Sequence, residues 1–526
     1  MAEQNPIESV DDETSDRLVN GITKDIIQND QRTESQSFKQ KLMTNKAFQK
    51  KFIIFLCLCY SFLILGLNIG QFGPTLLDLQ IITGCTLDQA SFFFNAHTLG
   101  YLTSSILTGF LFGRLNKLLQ MFSPCFMLTF VNLAIPWCSI YEVMVTVHFT
   151  KGFFLGFIDA VANGFLLHLL AQDAKTYLQI LHFMFAFGGI ISPLISAPFL
   201  SKQDYTNHMT PSVLHNITRN STELLDLWNS LLINTSVTTN NTLGPTYGIN
   251  STVASREISS VYKAYTMTAV MSLSSAIPYL VLFFRTDDSK CPTSKTQTED
   301  HPKENIPMRL KISVLVILSF IIATYTAIED TYAGFLTTFT VKHLKWTKAR
   351  GSFATSIYWT SFAVGRFTGI FIVNIFKQTK LLRVYSIMIV MAFICLLVTS
   401  LYHIEEGIWI ASTIVGFALS IFFPIFFSWT EEKFFHVDGK VTALIMTTAM
   451  IGVIVNPIIL ARVMEKVPIW FGYVLLTESV MLFLFYSVGV YIARKIKKFK
   501  MKDGKDGKRV MEVEVEVDPL VNDSKL

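Results

Sequence analysis

Long apolar stretches alternate with short polar segments along nearly the whole chain. A bilayer core of about 30 Å needs roughly 20 apolar residues per helix. By that measure the sequence predicts twelve membrane-spanning helices, at 52–77, 90–112, 118–138, 143–170, 177–200, 264–284, 312–338, 352–376, 382–402, 407–429, 440–463 and 469–493. The expected fold class is an all-α integral membrane protein, inserted in the lipid bilayer.

The polar segments divide this pattern into two halves of six helices. The predicted regions are an N-terminal tail (1–51), a first half (52–284), a polar linker (285–311), a second half (312–493) and a C-terminal tail (494–526). The first half contains the one long polar loop between spans, at 201–263.

Basic residues collect in segments that fall on one face of a twelve-span chain. Lysine and arginine precede the first span, follow the last span and lie in the loops after the second, sixth and eighth spans. The positive-inside rule predicts that this face, with both termini, is cytoplasmic. One cluster does not fit this rule, because it falls in a loop on the predicted outer face: Lys342, Lys345, Lys348 and Arg350.

The long loop 201–263 carries five N-x-S/T sequons, which agree with this orientation because glycosylation takes place on the lumenal side. The predicted glycosylation sites are Asn216, Asn220, Asn234, Asn240 and Asn250. Passage through the secretory pathway favours the plasma membrane as the location. The N-terminus lacks the early apolar core of a cleavable signal peptide, so the first span is expected to act as the signal anchor.

Composition excludes several classes of function. Charged residues make up 16% of the chain, whereas soluble domains have about 25%, and the formal charge of +5 is clustered at the loops. There is no basic aromatic platform for nucleic acid. Phosphate loops, paired metal-ligand motifs and nucleophile elbows are also absent from the sequence. We therefore expect neither an enzyme nor a cofactor, and transport by this chain would depend on an ion gradient or none.

Glycine and proline positions repeat between the two halves. Gly156-Phe157 matches Gly416-Phe417 at an offset of 260 residues, and Gly109 and Lys117 match Gly369 and Lys377 at the same offset. Gly188 precedes Pro193 by five residues, as Gly452 precedes Pro457. A parallel repeat of six-helix halves is the architecture of the major facilitator fold.

The loop after the second span, GFLFGRLNK (109–117), resembles a cytoplasmic motif of the major facilitator superfamily. Gly113 stands where that motif has an aspartate, so the charge pair that the motif forms is in question here. Three stretches, 156–193, GQFGPTLLDL (70–79) and GFALSIFFPIFFSW (416–429), resemble the sodium-dependent glucose transporter-like branch, which is distantly similar to fucose permeases. This resemblance implies uptake of a hexose coupled to a cation.

Ionisable residues inside spans are costly and therefore mark candidate sites. Asp159 and Asn163 lie four residues apart on one face of the fourth span and could bind sugar hydroxyls, with Asp159 also binding the coupling cation. The structural alternative is an ion pair between Asp159 and Lys151. Gln179 and His182 share a face of the fifth span, where His182 could contact sugar, relay protons or simply bond to the backbone.

The seventh span offers a second candidate group. Tyr325, Glu329 and Tyr332 share one face, whereas Asp330 points about 100° away from Glu329. Aromatic rings around a carboxylate suit a sugar, and Glu329 is the second candidate for cation coupling. The alternative is an end-of-helix charge beside interfacial tyrosines. Lower-ranked positions are Asn68, Gln71 and Asn456 as substrate ligands, Arg366 as a structural partner, and Glu478.

Together these features predict a monomeric, secondary-active hexose transporter that uses glucose or a similar sugar and is coupled to Na⁺ as the co-transported ion. A proton-coupled or facilitative carrier of another small organic solute is the first alternative. The second is a transport-inactive membrane sensor or scaffold.

Overall fold

The computed structural model describes residues 45–112, 114–170, 174–202, 260–285, 307–434 and 439–517. Within these ranges the chain is helical and contains no β-strand. The helices of the first half are α1 Lys46–Gly70, α2 Phe72–Thr83, α3 Leu87–Leu111, α4 Lys117–Ala134, α5 Tyr141–Leu169, α6 Ala174–Ser196 and α7 Val261–Arg285. Those of the second half are α8 Met308–Leu344, α9 Lys348–Ile375, α10 Gln378–Leu401, α11 Glu405–Lys433, α12 Gly439–Lys466 and α13 Trp470–Val517.

Helices α1 and α2 together make the first crossing. They meet at Gln71, whose backbone is still right-handed helical. Pro74 explains the interruption, because a proline has no N–H to bond the carbonyl of Gly70 one turn earlier. The crossing thus runs from Lys46 to Thr83, beyond the predicted bounds 52–77 at both ends.

Eleven helices within the described part of the chain are long and apolar enough to cross a membrane. The remaining predicted span corresponds to α3, which has 25 residues but is too polar to meet that standard. Its polarity has a structural reason, because His97, Thr98 and Tyr101 of α3 line a cavity inside the bundle. With α3 included, the described helices make twelve crossings, so the start of α1 and the end of the apolar part of α13 lie on the same face.

The internal repeat appears as equivalent close packing of glycines in the two halves. A Cβ atom on Gly156 in α5 would lie 2.5 Å from the carbonyl oxygen of Tyr101 in α3. In the second half, a Cβ on Gly416 in α11 would lie 2.3 Å from the carbonyl oxygen of Tyr358 in α9. Only glycine permits such an approach of two helices.

A second pair of glycines repeats the same relationship between other helices. A Cβ on Gly188 in α6 would lie 2.0 Å from the carbonyl oxygen of Leu63 in α1, and one on Gly452 in α12 would lie 2.1 Å from that of Ala323 in α8. Leu63 and Ala323 are separated by 260 residues. The repeat predicted from sequence is therefore present in the packing.

The two halves meet along α6 with α9, α3 with α12, and α2 with α8 and α9. We call the face opposite the start of α1 at Lys46 the distal face. Several hydrogen bonds join the halves there: Ser352 Oγ donates to the carbonyl oxygen of Pro193 at 2.8 Å, and Ser356 Oγ donates to that of Ile190 at 3.1 Å. The distal parts of the two halves are consequently in direct contact.

The basic cluster that does not fit the positive-inside rule lies at this distal face. Ion pairs account for at least two of its four residues, Lys348 and Arg350. Lys348 bonds to the buried carboxylate of Asp78 across the two halves. Arg350 forms a two-pronged salt bridge with Glu405, with distances of 3.1 and 2.7 Å. At least these two cations are therefore bound by acidic side chains of the folded protein.

Several predictions fall at or beyond the limits of the described residues. The five sequons and Gly113 lie outside them, as do most of the N-terminal tail and the linker. Helix α8 begins at Met308, inside the predicted linker 285–311. Helix α13 continues to Val517, well into the predicted tail 494–526.

Candidate functional site

A cavity of about 230 Å³ lies between the two halves. Its walls combine aromatic and aliphatic side chains with convergent polar groups, which is typical of small-molecule sites. The first half contributes these polar groups: Asn68, His97, Thr98, Tyr101, His148, Lys151, Asp159 and His182. The second half contributes Thr326, Glu329, Asp330 and Arg366.

Asp159 is held in the cavity wall by two neighbours. The hydroxyl of Tyr101 donates to Oδ2 at 2.6 Å, and the amide of Asn163 donates to Oδ1 at 2.9 Å. Asn163 also donates to the carbonyl oxygen of residue 159 at 3.0 Å. Asn163 is not itself a wall residue, so the structure gives it the position of a group that orients the carboxylate.

The alternative in which Asp159 pairs with Lys151 does not describe this structure. The two residues are eight positions apart, about 12 Å along a helix axis, and no salt bridge joins them among the described residues. Both line the cavity, at different depths of the same helix. Asp159 is consequently available to a ligand, apart from its bonds to Tyr101 and Asn163.

The wall opposite Asp159 carries two adjacent carboxylates. Glu329 and Asp330 both line the cavity, although their helical angle predicted that Asp330 points away. The cavity is wide enough for consecutive residues of α8 to border it. Arg366 interacts electrostatically with Glu329, and its guanidinium carbon lies 5.1 Å from the ring centre of Phe362. Asp330 in turn interacts electrostatically with Tyr101 across the cavity.

Two other predicted site residues lie in the wall. His182 lines the cavity edge-on to Phe62, with ring centres 5.5 Å apart. Asn68 is 1% exposed, and its amide already donates to the carbonyl oxygen of Ile64 at 2.9 Å and accepts from Asn132 at 2.9 Å. The side-chain amide of Asn68 therefore already has hydrogen-bond partners within the protein.

The two tyrosines predicted to flank Glu329 are not wall residues. Tyr325 donates to the carbonyl oxygen of Leu419 at 2.9 Å, and Tyr332 donates to Ser412 Oγ at 2.8 Å. Both rings are fully buried within the second half. Helical spacing identified their shared side of α8, but α11 packs against that side and takes up both hydroxyls.

Three further candidates do not belong to the cavity wall. Gln71 is buried at the junction of α1 and α2, and its side-chain amide has no hydrogen-bond partner among the described residues. Gln179 is half-buried in α6 and is not a wall residue. Asn456 bonds Thr331 Oγ1 at 2.9 Å and Glu478 Oε2 at 3.1 Å inside the second half.

The sequence contained a signal for several residues that were not proposed as ligands. His148 and Lys151 are ionisable residues in the predicted fourth span, three residues apart on one helix face. His97 and Tyr101 are four apart in the second span. The rule that ionisable residues inside spans mark functional positions applies to these histidines and to Lys151 as it does to Asp159.

Comparisons with known proteins agree with this architecture. A profile of the Major Facilitator Superfamily matches residues 253–457. The chain is 24% identical over 416 residues to sodium-dependent glucose transporter 1 of Homo sapiens, covering 78% of this chain and 73% of that protein. It is 26% identical over 458 residues to major facilitator superfamily domain-containing protein 4A of Xenopus tropicalis, covering 80% and 87% respectively.

Among solved structures, the D-xylose–proton symporter superposes with a TM-score of 0.58 at 14% sequence identity, over 83% of this chain and 97% of that one. A likeness at this identity concerns the fold. The repeated six-helix halves, the cavity between them and these matches lead to one conclusion: the described helices have the fold of a multi-pass membrane transporter, residues 253–457 match the Major Facilitator Superfamily, and the chain's relatives include sodium-dependent glucose transporter 1.

Proposed function

We propose that this protein transports a hexose such as glucose, coupled to Na⁺, by alternating access of the central cavity. The observation that carries the proposal is the position of Asp159 in the wall, oriented by Tyr101 and Asn163. A carboxylate that accepts two hydrogen bonds still has acceptor capacity for sugar hydroxyls or a cation. The relative named for sodium-dependent glucose transport supports the same assignment.

Coupling follows from the cost of moving charge through an apolar gate. A bare carboxylate is strongly disfavoured in a region without water. A cation bound beside Asp159 or Glu329 neutralises that charge, so a cavity that holds both cation and sugar reorients more readily than one that holds sugar alone. Binding of the two solutes is then linked thermodynamically. In this proposal the termini face the cytoplasm and the protein resides in the plasma membrane.

A proton-coupled carrier is the second candidate, because one observation favours it. Three histidines line the cavity, His97, His148 and His182. Histidine changes its charge near neutral pH more readily than any other side chain. A proton delivered to this wall would provide the same charge compensation as a sodium ion.

The decisive experiment is uptake of radiolabelled D-glucose by cells expressing the chain, in Na⁺ and in choline buffer, each at two external pH values. The variants are Asp159→Asn and, as a control, Glu432→Gln, whose carboxylate pairs with Lys433 in an exposed position. Na⁺-dependent uptake that is lost only in Asp159→Asn supports the proposal.

Other outcomes separate the alternatives. Uptake that follows pH and ignores Na⁺ favours the proton-coupled carrier. Uptake indifferent to both conditions indicates a facilitator. If protein labelled at the surface gives no glucose uptake under any condition, glucose is excluded as the substrate, and other solutes or a sensor function must be tested.

A further inference from the structure

Lys151 is a buried cation in the cavity wall and has no acidic partner within the described ranges. Its side chain is 3% exposed, it lines the cavity, and it forms neither a salt bridge nor a hydrogen bond with any described residue. Its Nζ atom lies 5.3 Å from the centre of the Tyr265 ring. An ammonium ion in such surroundings is unfavourable unless an anion compensates its charge.

His148 lies one turn before Lys151 on the same face and is also incompletely satisfied. Its Nδ1 is 2.9 Å from the carbonyl oxygen of Met144. Because a carbonyl only accepts, Nδ1 must carry the proton, and Nε2 of the neutral ring is left as an acceptor. This Nε2 is buried and has no hydrogen-bond partner among the described residues.

Aromatic packing fixes the direction of this imidazole. The ring of His148 stacks on Phe93 with centres 5.2 Å apart and meets Phe72 edge-on at 5.9 Å. The spacing of three residues places His148 and Lys151 on one helix face, and both residues line the cavity. One cationic donor and one neutral acceptor form a pair that a single ligand could occupy.

We infer that Lys151 and His148 form a binding subsite for a hydroxycarboxylate, in which the carboxylate accepts from Lys151 and an adjacent hydroxyl donates to His148 Nε2. The inference rests on the proposed sugar site and narrows its substrate class to sugar acids and related hydroxy acids. Asp159 lies about two helical turns away from Lys151. It would contact the hydroxyls at the other end of such a ligand.

The test compares ligands that differ in one group. Purified full-length protein is titrated with D-glucuronate and with D-glucose, which differ only in the carboxylate at C6, while thermal unfolding is recorded. The variant Lys151→Met removes the charge at similar length, and Lys263→Met is the control, because Lys263 is exposed on α7 outside the cavity. We expect D-glucuronate to bind wild type about tenfold or more tightly than D-glucose, and Lys151→Met alone to lose this preference.

A second comparison tests the hydroxyl contact and does not depend on a hexose. L-Lactate and propionate differ by one hydroxyl group. Wild type should prefer L-lactate, and His148→Phe, which keeps an aromatic ring between Phe72 and Phe93, should lose that preference. Lys151→Arg keeps the charge and should retain binding of both acids, which separates loss of the cation from loss of the fold.

The outcomes distinguish this inference from the proposed function. Glucose binding that is equal to glucuronate binding and unchanged in Lys151→Met overturns the subsite and leaves the hexose proposal intact. Lysine-dependent binding of L-lactate without binding of either sugar supports the subsite and overturns the hexose proposal. Stabilisation by chloride alone, lost in Lys151→Met and unaffected by any carboxylate, would identify an inorganic anion as the occupant and overturn the hydroxycarboxylate assignment.

Discussion

The Nζ atom of Lys348 lies 2.5 Å from Oδ1 of Asp78, and this ion pair joins the two halves of the protein at the distal face. Both side chains are buried, with exposed fractions of 5% and 0%. Ser201 completes the group, because its hydroxyl donates to Oδ1 at 2.6 Å and its backbone N–H donates to Oδ2 at 2.9 Å. The pair thereby ties α2 of the first half to α9 of the second half at this face.

Breaking this pair by Lys348→Met should open the distal face. The substitution leaves the Asp78 carboxylate buried without its cation, and such a loss costs about 3–5 kcal/mol, which separation of the halves relieves by admitting water. We expect faster labelling of a cysteine introduced at Thr98, a cavity residue, by an impermeant maleimide applied from the distal side. Labelling is counted above the background of the native cysteines.

Two controls test whether the effect belongs to this pair. Arg350→Met breaks an exposed salt bridge within the second half and should leave labelling close to the wild-type rate, since exposed pairs contribute little. The double variant Asp78→Asn/Lys348→Met removes both charges and should return part of the way to wild type. Equal labelling of Lys348→Met and wild type would show that the pair does not hold the face closed.

Tyr101→Phe should weaken solute binding without preventing folding. The substitution removes a 2.6 Å hydrogen bond to the carboxylate of Asp159. Bonds to charged groups are worth about 1.5–3 kcal/mol, so the half-saturating concentration for uptake should rise about tenfold or more. This half-saturating concentration is measured from the dependence of uptake on solute concentration. The control is Tyr262→Phe, because Tyr262 lies at the surface of the bundle. An unchanged half-saturating concentration would remove Tyr101 from the site.

Gly152→Ala should destabilise the first half, because α3 and α5 have no room for a methyl group there. A Cβ at Gly152 would lie 1.8 Å from the carbonyl oxygen of His97, so the two helices that carry the site must move apart. Gly109→Ala is the matched control, since no heavy atom lies within 4 Å of its Cβ position. There, alanine should be neutral or stabilising by up to about 1 kcal/mol. The measurement is the melting temperature of each purified variant. Equal melting temperatures for Gly152→Ala and Gly109→Ala would contradict the packing argument.

Asn456→Ala should affect stability and leave apparent affinity unchanged. The Asn456 amide joins Thr331 and Glu478 within the second half and lies outside the cavity wall. Its loss leaves buried partners unsatisfied, at a cost of about 1–3 kcal/mol. Thermal unfolding should occur at lower temperature, while the half-saturating concentration of the protein that remains folded stays at the wild-type value. A rise in that concentration alone would return Asn456 to the list of ligands.

Helical spacing predicted side-chain directions well only where no neighbouring helix intervened. Asp159 faces the cavity as expected, whereas Tyr325 and Tyr332, which share a face with Glu329, are covered by α11. Asp330 borders the cavity although its angle predicted otherwise. Helical periodicity gives the angles between side chains on one helix. It does not tell which side of the helix faces a cavity and which side packs against a neighbouring helix.

The sequence by itself determined the membrane-spanning architecture, because the hydrophobic lengths and the repeated glycines are local properties that a bilayer and close helix packing impose. It also marked Asp159, since a carboxylate inside a span is costly. Only the tertiary structure decided that Lys348 binds Asp78, 270 residues away, and that Lys151 has no acidic partner among the residues that the structure describes. Pairing depends on distances between helices from different parts of the chain, and no spacing along a single helix encodes those distances.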